Sequence, residues 1–71
     1  MKRRFEFVQG TSSKFYEVSV KGNAVSVTFG RIGTAGQTQT KQFAELAAAQ
    51  KHAEKQIAQK LKKGYVEQLA A

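Results

Sequence analysis

Lys14 to Arg31 reads KFYEVSVKGNAVSVTFGR, two alternating runs either side of Gly22-Asn23. In the first run Tyr16, Val18 and Val20 share one face, and Phe15, Glu17 and Ser19 the other. In the second, Val25, Val27 and Phe29 share a face. Alternation with a period of two predicts half-buried strands. Gly and Asn both tolerate positive φ and suit a two-residue primed turn. That turn sets a register: Val20 opposite Val25, Val18 opposite Val27, Tyr16 opposite Phe29. The apolar sets then fall on one face of the hairpin, an agreement the turn itself does not impose. The reverse face, with Phe15, Glu17, Ser19, Ala24, Ser26 and Thr28, is mostly small or polar.

Upstream, Arg3 to Val8 alternates with Phe5 and Phe7 on one face, and a polar turn cluster, Gly10 to Ser13, follows. Downstream, Gly33-Thr34-Ala35-Gly36 is the next turn. Gln37 to Phe43 reads as a polar edge strand favoured by its threonines. Near residue 43 the texture changes. Ala44 to Lys63 contains no Gly or Pro and is rich in helix formers. Leu46, Ala49 or Gln50, Ala53, Ile57 and Leu61 make a thin apolar stripe at helical spacing. Gly64 is a natural stop. Tyr65 and Val66 offer bulk to fold back onto the core, and Gln68 to Ala71 are expected to fray. The expected fold class is α+β: a small antiparallel β-sheet of about four strands, with one C-terminal α-helix packed across one face. It forms a single domain over residues 1–71.

Twelve Lys and Arg against five Glu give a formal charge of +7. A small domain this basic draws polyanions, of which nucleic acid is the commonest in a cell. No cysteine is present, so disulfides and thiolate metal sites are excluded. The start, Met1 to Glu6, is basic like a signal peptide, but Glu6, Gln9 and Gly10 interrupt any apolar stretch. No run approaches a membrane span. The expectation is a cytoplasmic protein with no membrane partner, no metal and no cofactor.

Catalysis lacks its parts. His52 is the single histidine, and Glu54, two residues on, lies on a different helical face. Gly33 and Gly36 suggest an anion cradle built from backbone N–H groups. The stretch lacks a Walker lysine and opens no helix, which excludes a P-loop. By spacing alone it is a hairpin turn that needs positive φ twice. Lys51, Lys55 and Lys62 lie near one helix face, as a solvated surface or a phosphate-binding one. Lys2, Arg3 and Arg4 form a separate basic patch. Aromatic rings among basic residues can stack bases, but a domain this short needs most of its seven rings for its core.

Taken together, the early strand with Phe15 and Tyr16, then Gly30-Arg31-Ile32-Gly33-Thr34, Gly36-Gln37, Phe43, the alanine-containing helix with its lysines and Gly64-Tyr65 resemble a WGR domain. The resemblance spans nearly the whole chain and is similar to that of bacterial WGR proteins. The name-giving Trp-Gly-Arg is Phe29-Gly30-Arg31 here. In DNA-dependent poly(ADP-ribose) polymerases that Trp packs against the nucleotide at a DNA break, and the Arg bridges DNA-bound modules to the catalytic part. Phe29 keeps the aromatic face and loses the indole donor. The resemblance implies a non-enzymatic nucleic-acid-binding module, for DNA rather than RNA, at ends, nicks or single strands. The implied contacts are Phe29, Gly30, Arg31, Gly33 and Gly36, with Lys14, Lys41, Lys51 and Lys55 on phosphates. Arg31 either forks onto phosphate or holds the loop; Phe29 either meets a sugar or base or stays in the core. The alternative is an interaction adaptor that docks an acidic protein partner through Arg31.

Overall fold

The structure, a computed structural model, describes residues 2–68. In chain order these form β1 (Lys2–Gln9), β2 (Ser12–Lys21), β3 (Ala24–Arg31), β4 (Gln37–Gln42), α1 (Leu46–Lys62) and β5 (Val66–Gln68). The sheet is antiparallel, in the order β4-β3-β2-β1-β5. The architecture is the expected α+β one, with a fifth strand added at the β1 edge.

The β2–β3 register is the one set by Gly22-Asn23: Val20 pairs with Val25, Val18 with Val27 and Tyr16 with Phe29. Gly22 takes a φ of 60°, which an L-residue reaches only with strain. The first turn is tighter than the polar cluster implies. Gln9 pairs with Ser12, so the turn is Gly10-Thr11, and Ser12 and Ser13 are drawn into β2. Polar side chains do not stop a strand when the partner backbone is already in register.

On the helix-bearing face the pairing makes four cross-strand rows. Phe7, Lys14 and Arg31 form the first; Phe5, Tyr16, Phe29 and Gln37 the second. Arg3, Val18, Val27 and Gln39 form the third, and Val20, Val25 and Lys41 the fourth. The core is the middle of this grid. Phe5, Val18 and Val25 are fully buried there under Ala49, Ala53 and Ile57 of the helix. Two alanines with no exposed surface let α1 lie close to β2 and β3. Leu46 and Leu61, at the ends of the expected stripe, stay 46% exposed.

The helix begins later than expected. Glu45 is its N-cap, with extended backbone and no side-chain capping bond. Ala44 and Glu45 have good propensity, but the chain must first leave the sheet. After Gly64, Tyr65 packs on Phe7 with ring centroids 5.4 Å apart. Val66 opens β5 and is 61% exposed, so Tyr65 folds back onto the core and Val66 does not. Gln68 is in β5, and the fraying expected for 69–71 lies outside the described residues.

β5 pairs antiparallel with Arg4–Glu6 of β1, and a side-chain ion pair reinforces it. Arg3 donates from Nε and Nη2 to the two carboxylate oxygens of Glu67, at 2.7 and 2.6 Å. A forked bond of this kind fixes direction as well as charge. It raises the Arg3 pKa, chiefly through the Glu67 hydrogen bond, and lowers that of Glu67 through the same contact.

Candidate nucleic-acid interface

A helix is about 10 Å across and strands lie about 4.8 Å apart, so one helix covers about two strands of five. Here it covers β2 and β3, and β4 is exposed at all six positions. Between α1 and β4 this leaves an open groove of about 570 Å³. Tyr16, Val27 and Phe29 form its floor, Gln39 and Lys41 one wall, and His52, Gln56 and Lys60 the other. The three helix residues are four apart, one stripe round from the buried Ala53 and Ile57. His52 packs on Phe43 with centroids 5.0 Å apart. The Tyr16 hydroxyl donates to Gln56 Oε1 at 3.4 Å, and burial raises its pKa, with a smaller effect from Tyr65.

Phe29 is on the apolar face, as the register requires, and is half-buried against the core. It is also floor of the groove. Core and surface are therefore not alternatives for this ring.

Arg31 lies one row beyond Phe29, exposed, with Lys14 as its cross-strand neighbour. Among the described residues its guanidinium has no hydrogen bond or ion pair. The loop is held instead by its carbonyl, which accepts from Thr34 N–H at 3.1 Å and Thr34 Oγ1 at 2.7 Å. Lys41 stands in the groove wall with Nζ 5.5 Å from the Phe43 ring centroid. Lys51 and Lys55 are exposed on the side of α1 opposite Ala53, and the structure does not bring them to the groove.

The glycines divide by role. Gly33 has φ 95°, a methyl placed on it would have no neighbour within 4 Å, and it is an exposed turn tip. Gly36 has φ 72°, and a Cβ there would sit 2.6 Å from the Phe29 carbonyl oxygen and 2.7 Å from Phe15 Cζ. A Cβ on Gly30 would meet Gly36 Cα at 2.9 Å. The loop thus folds back on the reverse face and covers Phe15, which is 4% exposed. Arg4 closes the other side, its guanidinium 4.5 Å from that ring. Gly30 and Gly36 are required by packing, whatever else they touch.

Charge is sorted across the molecule. Lys2, Arg3 and Arg4 pair with Glu17, Glu67 and Glu6, with Arg4 reaching Glu17 as well at 2.6 Å. Three cations thus meet three carboxylates, and the formal +7 falls on the rest of the surface. Lys14, Arg31, Lys41, Lys60 and Lys63 have no ion pair among the described residues. The N-terminal basic patch is thereby set apart from the groove. No group of three or more metal-ligating side chains occurs among the described residues, and no described helix is long and apolar enough to cross a membrane.

The WGR domain family matches residues 1–71, the full length of the chain. The chain belongs to the WGR family. It is 47% identical to the Escherichia coli K12 protein YehF over 66 residues, which are 93% of this chain and 24% of YehF. It is 40% identical to YfeS of the same organism over 67 residues, 94% of this chain and 28% of YfeS. A crystal structure of a Bacteroides fragilis protein superposes with a TM-score of 0.94 at 51% identity, covering 97% of this chain and 20% of that one. The chain thus spans about a quarter of the length of the relatives it matches. Within poly(ADP-ribose) polymerases the WGR domain is a nucleic-acid-binding module. In this WGR domain Phe29 floors the groove, and Gly30 and Arg31 follow it along β3. Sequence reasoning weighed His52 only for catalysis and did not point to Gln56 or Lys60 as site residues. Their i, i+4, i+8 spacing beside the apolar stripe is the signal that marks them.

Proposed function

We propose that this chain is a non-enzymatic nucleic-acid-binding module that takes DNA at ends, nicks or single strands. The observation that carries the reading is a groove floored by an aromatic ring and lined by Lys41 and Lys60, with Lys14 and Arg31 in the strand row next to it, all four without a carboxylate partner among the described residues. Lys41 stands near one end, and Lys60, Lys14 and Arg31 near the other. From Val25, beside Lys41, to Arg31 is six residues of strand, about 20 Å at ~3.3 Å per residue. In this reading Phe29 meets a sugar or base, Arg31 forks onto phosphate, and Lys14 and Lys41 add phosphate contacts. Gly33 lets backbone approach the ligand at the turn tip, while Gly30 and Gly36 shape the loop from within.

Fluorescence anisotropy of the 71-residue chain against labelled DNA tests this. Micromolar binding at low salt is expected, weakening steeply with salt. Three phosphate contacts give a log–log slope of about −2 on single strands. Arg31→Ala should weaken binding with little loss of fold. Absence of binding to every probe at micromolar protein would end the proposal. The exposed Arg31 also suits an acidic protein surface. A partner whose capture depends on Arg31 and survives nuclease treatment would favour that adaptor reading.

A further inference from the structure

The groove does not end at Lys60. That side chain also lines a second cavity of about 300 Å³, with Phe7, Lys14, Lys63 and Tyr65. The Lys60 ammonium lies 4.7 Å from the Tyr16 ring centroid and 5.3 Å from that of Tyr65. Lys14 Nζ is 5.9 Å from the Phe7 centroid. Three ammonium groups therefore converge on a small aromatic-walled hollow, and no carboxylate among the described residues pairs with any of them. Burial, and then the charges of Lys63 and Lys14, hold the Lys60 ammonium below the usual lysine range. Lysines gathered in this way repel one another and hold part of their stems out of water. An anion seated among them relieves the repulsion. Compact, rotatable ammonium donors suit the tetrahedral oxygens of phosphate.

The two cavities adjoin at Lys60, the first floored by Tyr16, Val27 and Phe29 and the second lined by lysines and aromatic rings. We propose that Lys14, Lys60 and Lys63 are a phosphate subsite continuing the groove, and that the two cavities together take an unpaired strand. This rests on the nucleic-acid reading above and narrows it. A duplex presents stacked, paired bases, and its outer surface is convex. It can touch the rim cations, but no base can enter between α1 and β4 unless it has left the stack. A single strand has no such restriction. Its phosphate can turn across the end of α1 while its base lies in the groove.

Two double variants with the same change of charge test the subsite. K14Q/K63Q removes two of its three ammonium groups; K51Q/K55Q removes two from the opposite side of the helix. Each is titrated by anisotropy, across a salt series, with a single-stranded oligonucleotide and a blunt duplex of equal length. Circular dichroism melts confirm folding. The parent should bind the single strand about tenfold tighter than the duplex. K14Q/K63Q should lower the single-strand salt slope by about 0.7, one phosphate contact, and most of the preference should go. K51Q/K55Q should keep the preference. Equal losses in the two variants would mean that only bulk charge matters, and would overturn the subsite. Equal parent affinity for both DNAs would overturn the unpaired-strand reading while nucleic-acid binding stands. No binding by the parent would remove both.

Discussion

Gly36→Ala should be far more damaging than Gly33→Ala, though both glycines sit at positive φ in one turn. An alanine in the left-handed region costs about 1–2 kcal/mol, and both substitutions incur that. At Gly33, φ 95°, the new methyl has nothing within 4 Å, so the backbone term is the whole cost. At Gly36, φ 72°, the methyl must find room 2.6 Å from the Phe29 carbonyl oxygen and 2.7 Å from Phe15 Cζ. Neither neighbour is free to move: Phe29 is paired across the sheet with Tyr16 and Gln37, and Phe15 is buried. Forcing extra volume into packed surroundings adds about 1–3 kcal/mol. Gly36→Ala should then lose about 2–5 kcal/mol. A 71-residue domain has roughly 4–10 kcal/mol in all. At about 4–8 °C per kcal/mol, the Tm should fall by about 8–40 °C, against about 4–16 °C for Gly33→Ala. Thermal and urea melts followed by circular dichroism measure both. Equal destabilisation would refute the claim that the loop folds back over Phe15, and with it the division of the glycines into packing and turn-tip roles.

Lys60→Met should leave stability unchanged or raise it by about 0.5 kcal/mol or less, because the side chain is largely solvated, while weakening DNA binding. The sign follows from its lowered pKa. The folded state penalises the charged amine at neutral pH, and the penalty lifts as pH rises through the folded value toward that of the unfolded chain. Parent stability should therefore gain in the alkaline range where Lys60→Met shows no such gain, a comparison for urea melts across pH. Glu67→Gln should flatten the acid side instead. Its carboxylate, held low by Arg3, contributes stability present above the unfolded value of about 4.3 and lost as pH falls through the folded one. Thermal melts from pH 2 to 6 should show a shallower acid decline for the variant. Ala53→Leu should cost about 1–3 kcal/mol by overpacking, since Ala53 has no exposed surface between α1 and the sheet; denaturant midpoints give the value.

What was legible in the sequence was local. A two-residue turn with positive φ and a strict period of two determine the β2–β3 register, and no distant contact is needed to read it. β5 is the opposite case. Three residues carry almost no pattern, and Val66–Gln68 becomes a strand by pairing with Arg4–Glu6 of β1, where Glu67 also meets Arg3, 64 positions away. Phe15 could be assigned to the reverse face but not explained there, because its cover comes from a loop doubling back through Gly30 and Gly36. The groove was hidden for a geometric reason. Helix propensity says that α1 forms, not that it spans only two strands and leaves Phe29 half-covered. Site prediction divided along the same line. Phe29, Arg31, Lys14 and Lys41 share the helix-bearing face because the strand register places them there, with Lys41 at the far end from Lys14 and Arg31, whereas Lys51 and Lys55 follow the helical phase, which turns them to solvent.

The two faces of the sheet do different physical work. On the reverse face, polar groups are matched locally: Arg4 with Glu6 and Glu17, Ser26 with Thr40 at 3.0 Å, Thr28 with Thr38 at 2.9 Å. Such pairs hold strands in place and leave little field at a distance. On the helix-bearing face the uncovered flanks carry cations with no ion pair among the described residues. Five glutamates are enough to neutralise some of twelve cations, and their placement decides which. With Glu6, Glu17 and Glu67 engaged by the N-terminal cluster, the net positive charge falls outside that cluster, in part on the groove and the C-terminal end of α1. Lys60 shows the consequence most directly. Burial and the nearby Lys63 and Lys14 charges work against the Lys60 ammonium in the empty domain, offset in part by the faces of Tyr16 and Tyr65, while an incoming phosphate favours it. The stability of the empty domain and its affinity for a polyanion are therefore opposed at this residue, and Lys60→Met separates them.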